Sequence, residues 1–341
     1  VWSRIQIGSA LLLVAVLAGC GASAKGQPSS ALRGAGSTLA LPLVASWAQA
    51  YERASHTRIE YNAVGSGSGI AAIATREVDF GASDAPLTRD QAEDCGGCVQ
   101  IPWALSAVAI AYHGHELPPG LRMTGNVLAD VFLGRITRWD DPRLQALNPD
   151  VRLPSTRITP IFRAESSGST YAFTSYLARV SPNWRSRVGE AIAVRFPVGI
   201  GGSTSAGVTA LLLRTDGGIS YVETAYALAN DLEVVALGNA AGRFVRPDVH
   251  GVAAAAATIS ALRRNNALSI VDPPASSPRA YPISTFTYAI LPRRTREARR
   301  LRAFVSWALT RGQSLAPPLA FAPLPASVVR AARATLLQLH S

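Results

Sequence analysis

Gly34-Ala35-Gly36-Ser37-Thr38-Leu39 is the first of four small-residue turns in this 341-residue chain. The others are Gly65-Ser66-Gly67-Ser68-Gly69, Gly81-Ala82-Ser83-Asp84, and Arg163-Ala164-Glu165-Ser166-Ser167-Gly168-Ser169. Each follows or ends a short apolar, strand-like run, and most open onto a helical pattern. Glycine lets backbone come close to a ligand. A hydroxyl residue caps a helix and leaves free N–H groups pointing outward, where the helix dipole favours an anion. Four such turns, with one arginine and two carboxylates among them, predict an oxyanion site built mainly from neutral dipoles.

Around these turns the pattern alternates between helix and strand. Leu41–Ala54 carries an apolar stripe at Leu41, Val44, Trp47, Ala48 and Tyr51, the spacing of one helical face. Further helices are predicted over 70–76, 126–133, 169–180 and 252–262, with two more, 294–310 and 326–339, closing the chain. Strands are predicted over 58–64, 78–82, 106–112, 158–162, 219–222 and 283–290. The unbroken apolar run 106–112 reads as a strand of a buried parallel sheet. Gly134 stands where a helix ending at Leu133 needs its C-terminal glycine. Strand–helix alternation predicts parallel α/β sheets, with ligands beyond the carboxyl ends of the strands. All four turns fall there.

The first thirty residues read as an export address. Arg4 precedes an apolar run over Ala10–Ala18, and then comes Leu17-Ala18-Gly19-Cys20. A charged start, a short apolar stretch and small residues before a cut make residues 1–19 a signal peptide, too short for a permanent span. A cysteine after Leu-Ala-Gly is similar to a bacterial lipobox. Cys20 is then the lipidated mature N-terminus, and the small polar residues 20–30 are its tether.

About 320 residues remain after cleavage, enough for two lobes. The formal charge is +11, and Lys25 is the only lysine. One account of that arginine usage is codon bias in a GC-rich genome. The functional reading is steering of an anionic ligand or contact with an acidic surface. Read along the chain the arginines are scattered, and the chain is exported, which speaks against nucleic acid. Cys95-Gly96-Gly97-Cys98 is an even pair in an oxidising compartment and is expected to form a disulfide. The alternatives are a redox motif or half a zinc site, although His113 and His115 are spaced too closely for the usual zinc finger.

With these elements in place, the chain resembles the phosphate-binding lipoprotein of bacterial ABC phosphate importers over essentially the whole mature length. The resemblance rests on the four turns and on further stretches in the same order. These are 78–87, 132–142, Asp216-Gly217-Gly218-Ile219-Ser220-Tyr221-Val222-Glu223, Tyr281-Pro282-Ile283 and Ala322-Pro323-Leu324-Pro325. It implies an α/β, two-lobed periplasmic-binding-protein-like fold of type II with the ligand in the interlobe cleft. One lobe is expected over 31–110 and 284–341, the other over 111–283.

The implied phosphate contacts are Thr38, Leu39, Ser66, Asp84, Arg163, Ser167, Gly168 and Ser169, with Leu39 acting through its main chain. Glu165 stands where the family usually has aspartate and is expected to orient Arg163. No cofactor and no metal is implied. The partners implied by the resemblance are inorganic phosphate and an ABC permease with its ATPase, and the protein is expected to be a monomer held to the cell envelope by lipid. It sits in the periplasm or on the outer face of the cytoplasmic membrane.

The chemistry accords with this. Phosphate near neutral pH keeps a proton, whereas sulfate has none. A carboxylate only accepts hydrogen bonds, so Asp84 can bind a P–OH group and faces only lone pairs on sulfate. A site built around one such hydrogen discriminates by roughly 10⁴-fold. Other readings are a carrier of another tetrahedral oxyanion, a sensing or adhesive relative, or a secreted hydrolase. Against a hydrolase, Gly65–Gly69 does not place its serines as a nucleophile elbow requires. A nucleotide loop is disfavoured because no glycine-rich turn holds a lysine.

Overall fold

The computed structural model describes residues 31–259 and 265–341. The expected signal peptide, Cys20 and the expected tether lie outside the described residues, and the helix expected over 252–262 spans Val249–Ala256. The strands are β1 (Leu32–Gly36), β2 (Ile59–Asn62), β3 (Phe80–Ser83), β4 (Val99–His113), β5 (Arg122–Met123), β6 (Thr159–Arg163), β7 (Ile200–Gly202), β8 (Gly218–Glu223), β9 (Glu233–Val234), β10 (Ala236–Gly238), β11 (Phe244–Val245) and β12 (Ser284–Leu291).

Nine of them form one mixed sheet in the order β2-β1-β3-β12-β4-β8-β6-β7, with β9 also paired to β4, and β11-β10-β5 form a small second sheet. In the first half of the large sheet, β1 runs parallel to β2 and β3. In the second half, β6 runs parallel to β7 and β8. The helices Leu41–Ser55, Ser66–Ala74, Gly168–Val180 and Thr204–Leu213 connect these parallel strands or follow them.

β4 joins the halves. Its residues 99–107 pair with β12 and its residues 108–113 with β8, so its partner changes between Ala107 and Val108. Both pairings are antiparallel, which corrects the parallel setting expected for 106–112. A continuous apolar run reports burial on both faces, and Val99–Tyr112 is indeed buried throughout. It carries no information about strand direction. Direction here follows from β12, which returns from the far end of the chain to fill the centre of the sheet.

Aromatic side chains fill the space on either side of that crossing. Trp103 packs edge-on against Trp47 at 5.3 Å, Phe80 at 5.9 Å and Phe304 at 6.1 Å between ring centroids. Beyond β4, Phe173 stacks on Tyr221 at 4.4 Å and meets Phe132 at 4.8 Å. Rings of this size remove roughly 150–250 Å² each from water, so each half has its own apolar anchor.

Two local expectations shift. The helix expected over 294–310 spans Ala298–Ala308, because Arg294 forms a β-bridge with His340 instead. The helix expected from Ile70 begins at Ser66, its start masked by glycines of low helical propensity. The helix Gly125–Phe132 ends as expected. Gly134 has φ +73°, Arg135 N–H reaches Asp130 O at 2.8 Å and Gly134 N–H reaches Val131 O at 3.0 Å. That is the Schellman pattern.

Cys95 and Cys98 are joined by a disulfide. The bridge ties the end of the helix Arg89–Asp94 to the residue before β4, and both cysteines are buried. A loop this short restrains the unfolded chain modestly. Replacing both cysteines by alanine is expected to lower the unfolding free energy by about 2 kcal/mol and to leave ligand affinity unchanged. Urea unfolding with a parallel ligand titration checks both.

Candidate functional site

The four turns meet where β1, β3 and β6 end. β1 runs into Ser37 and Thr38, β3 into Asp84, and β6 ends at Arg163. The approach demands glycine. Gly36 has φ +143°, and a Cβ there would stand 2.0 Å from the Ala82 carbonyl oxygen. At Gly168 a Cβ would stand 2.5 Å from Asp84 Oδ2 and 2.6 Å from Ser66 Oγ. Bare backbone therefore lets a turn from one half of the sheet lie directly on two turns of the other.

Asp84 is buried within a cage of hydroxyls. Ser37 Oγ donates to Oδ1 at 2.7 Å and contacts Oδ2 at 2.8 Å, and Thr287 Oγ1 donates to Oδ1 at 2.6 Å. Ser66 Oγ accepts the Asp84 N–H at 3.2 Å and the Gly168 N–H at 3.1 Å. Burial pushes the Asp84 carboxyl from 3.8 up to about 6, against the hydrogen bonds from Ser37 and Thr287. Loss of hydration outweighs two good donors.

Arg163 is the opposing charge, and its side chain is almost wholly buried. Its Nε donates to Glu165 Oε1 at 2.8 Å, and Nη2 makes a second bond to the same oxygen. Nη1 donates to Thr38 Oγ1 and Ser205 Oγ, both at 3.1 Å. Glu223 Oε1 lies 3.6 Å from Nη1 and accepts from Ser169 Oγ at 2.6 Å and Ser205 Oγ at 2.7 Å. Burial opposes the guanidinium charge, but Glu223 and then Glu165 more than restore it, so its pKa is raised. Burial also opposes ionisation of Glu165, and Arg163 outweighs it, holding that carboxyl below its usual range.

Each expected contact residue can now be located. Thr38, Arg163 and Ser169 belong to one hydrogen-bond cluster, closed by Ser205 and Glu223, and Ser66, Asp84 and Gly168 to a second; the two adjoin where Ser37 precedes Thr38 and Gly168 precedes Ser169. Ser167 caps the helix Gly168–Val180 through Thr170 N–H at 3.5 Å, which turns that helix's N-terminus toward the other turns. Leu39 puts its side chain into the core, leaving only its main chain near the site. Glu165 pairs with Arg163 as expected. Four residues were not anticipated in these clusters: Ser37 and Thr287 beside Asp84, and Ser205 and Glu223 beside Arg163. Ser37 stands inside the first quoted turn and Glu223 ends a quoted stretch, so both were in view. Ser205 and Thr287 had no local signal, since only strand pairing brings them in. Among the described residues no group of His, Cys, Asp and Glu is arranged to hold a metal ion.

A profile described as a PBP superfamily domain matches residues 21–311. Curated relatives agree over most of the length. The chain is 36% identical over 312 residues to a protein named phosphate-binding protein PstS from Xylella fastidiosa, covering 90% of this chain and 85% of that one. The chain belongs to the PBP superfamily, alongside the PstS phosphate-binding proteins. A relative of the same name from Haemophilus influenzae is 34% identical, with 88% of this chain and 91% of the relative covered. In Methanocaldococcus jannaschii another is 31% identical, covering 87% and 85%.

Solved structures share the fold. A high affinity periplasmic phosphate-binding protein (PfluDING) with phosphate bound superposes with a TM-score of 0.72 at 21% identity, covering 89% of this chain and 93% of that one. An ancestral soluble variant of the Human Phosphate Binding Protein gives 0.74 at 22% identity, with the same shares covered.

The raised pKa of Asp84 has a stability consequence of definite sign. The folded protein binds this proton more tightly than the unfolded chain, so the contribution is fully present below about pH 4. It is lost as pH rises toward about 6 and stays lost above. A shift from 3.8 to about 6 corresponds to on the order of 2–3 kcal/mol. Asp84→Asn removes the term. In phosphate-free buffer the variant is expected to gain stability relative to the parent between pH 4 and pH 7. Parallel urea unfolding curves across that range check it, and identical pH profiles would contradict it.

Proposed function

We propose that this chain binds inorganic phosphate outside the cytoplasmic membrane and delivers it to the permease of an ABC importer. The names of the relatives support the ligand. One observation carries the reading: a buried carboxylate, Asp84, ringed by hydroxyls and adjoining a second hydrogen-bond cluster that holds a buried arginine. A bare dianion beside Asp84 would meet only repulsion, whereas a P–OH group can donate to it. Arg163 then supplies a charge-assisted fork to the remaining oxygens. The main-chain N–H groups after Thr38 and at the start of the helix Gly168–Val180 add neutral donors. In this reading Thr38, Leu39, Ser66, Asp84, Arg163, Ser167, Gly168 and Ser169 hold the ligand, and Glu165 and Glu223 orient Arg163 and Ser169.

The lobes proposed are 31–110 with 284–341 on one side and 111–283 on the other. The change of β4 partner after Ala107 supports a boundary close to that position. Closure about β4 and the segment before β12 would bring the turns together around the anion and expel water. A permease could then sense occupancy from the relative position of the lobes. We read the protein as a carrier and not an enzyme, acting as a single chain anchored by lipid at Cys20. No helix among the described residues is long and apolar enough to cross a membrane. A carrier of another tetrahedral oxyanion is the second reading, and Asp84 weighs against it because sulfate and molybdate bring no proton.

Phosphate at a hundredfold excess over its dissociation constant is expected to stabilise the protein by about 2.7 kcal/mol, with sulfate at equal concentration giving no shift in melting temperature. Equal shifts would indicate simple ionic stabilisation of a basic protein. Arg163→Ala is expected to abolish phosphate binding. Asp84→Asn adds a donor, so calorimetric titration of both anions should find selectivity over sulfate sharply reduced, even where phosphate still binds. Unchanged selectivity would remove the reason for choosing phosphate.

A further inference from the structure

The arginines are less evenly spread than a reading along the chain suggests. Residues 292–341 hold nine arginines and a single acidic residue, Glu297, a net +8 of the chain's formal +11. Arg293, Arg294, Arg296, Arg299, Arg300 and Arg302 fall within the eleven residues 292–302. Codon bias raises arginine everywhere, but it does not strip carboxylates from one segment.

The fold concentrates this charge at one end of the sheet. β12 runs antiparallel to β3, with Tyr288 opposite Ser83 and Ile290 opposite Gly81. Its start therefore lies beside Asp84, and its end, Leu291, lies at the opposite edge. Arg293 and Arg294 leave the sheet there, and the helix Ala298–Ala308 begins there. The main chain of Arg293 and Thr295 is bonded to His340, at 2.8 and 3.1 Å, which brings the end of the helix Ala326–Leu336 and its last-turn Arg333 to the same place. Arg293, Arg294, Arg296 and Arg299 are exposed, and among the described residues none of the four forms an ion pair. Arg294 instead donates to the His340 ring at 3.1 Å. Glu77 and Asp79 before β3, and Asp90, Glu93 and Asp94 of the helix that precedes β4, also lie at this end, five carboxylates set against Arg33, Arg76 and Arg89, so the excess of positive charge there comes from residues 292–341.

β1 starts at the same edge. It runs parallel to β3, so Leu32 is as far from Asp84 as its strand allows, and two strand spacings separate β1 from β12, about 10 Å. Whatever precedes Leu32 joins the body beside the arginines, on the side facing away from the candidate binding site.

We propose that this basic base is a docking surface for the anionic headgroups of the membrane to which the N-terminal segment leads. Positive charge within a Debye length of an anionic bilayer favours association. A body seated on its base would hold the candidate site outward, toward solvent and a permease. The choice of a membrane rests on the export and anchor reading. The measurement below needs neither lipidation nor phosphate, so its outcome is separable from theirs.

The test compares the full chain with R293Q/R294Q/R296Q/R299Q in co-sedimentation with phosphatidylcholine vesicles and with mixed phosphatidylglycerol–phosphatidylcholine vesicles. Residues 1–30 are common to both proteins, so their contribution cancels. Each basic residue near an anionic surface strengthens binding by roughly fivefold. The parent is expected to prefer the anionic vesicles, and the variant to bind them on the order of several hundredfold more weakly at low salt. Binding to phosphatidylcholine, melting temperature and phosphate affinity should match between the two. Equal binding of parent and variant to anionic vesicles would overturn the proposal. So would a parent that shows no preference for them, which would favour an acidic protein surface instead.

Discussion

A buried guanidinium needs partners in every direction, and the centre of this molecule is arranged around that need. Arg163 reaches Glu165 and Glu223 in its own half of the sheet and Thr38 in the other. Stripping water from such a group costs several kcal/mol unless charge and hydrogen bonds replace it. The ends of β1 and β6, and the turn before the helix Thr204–Leu213, are thereby fixed relative to one another. The glycine at 168 belongs to the same approach, since a Cβ there would strike Asp84 and Ser66 of the other half, while Gly36 answers to the close pairing of β1 with β3 at Ala82.

The same arrangement sets the electrostatic character of the site. Three carboxylates, Asp84, Glu165 and Glu223, surround one guanidinium. Two of them face the arginine, which holds Glu165 ionised. Asp84 has hydroxyls as its immediate neighbours and is raised to about 6. Hydroxyl donors stabilise a carboxylate less than an adjacent cation does, so burial prevails at Asp84 and charge prevails at Glu165. If this is the binding site, as proposed, an anion beside Asp84 needs one hydrogen between them, from the anion or from Asp84. Discrimination by the anion's proton would then require Asp84 to be ionised, which its separation from the ion-paired carboxylates governs.

β4 supplies the mechanical counterpart. One strand serves both halves of the sheet, with β12 along its first part and β8 along its second. The aromatic clusters around Trp103 and Phe173 lie on either side of the crossing. Each half thus has its own aromatic group, and buried residues of β4 and β12 join the two in one apolar core. The basic segment after β12 follows from the same topology. A strand that starts beside Asp84 and runs antiparallel to β3 must deliver its following residues to the far edge.

Much of this was legible in the sequence. Helix periodicity, the Gly134 stop and the strand–helix alternation are local, depending on residues within a few positions of one another. The turns carried their own signal because backbone approach, helix capping and anion binding each need particular residue types at adjacent positions. The turns that carry Thr38, Ser66, Asp84, Arg163 and Glu165 could be singled out on that ground, and the family resemblance then implied these residues within them. Strand direction could not, since a run buried on both faces reads the same either way, and β4 was expected parallel for that reason. Ser205, Thr287 and the convergence of Arg293 with Leu32 at one edge were equally out of reach. Each depends on register between segments far apart in the chain. Sequence alone determined which residues had the chemistry for an oxyanion site, because that property belongs to each turn separately. Only the tertiary structure decided which of them stand together, because pairing across the sheet is set by packing and hydrogen bonds between distant strands.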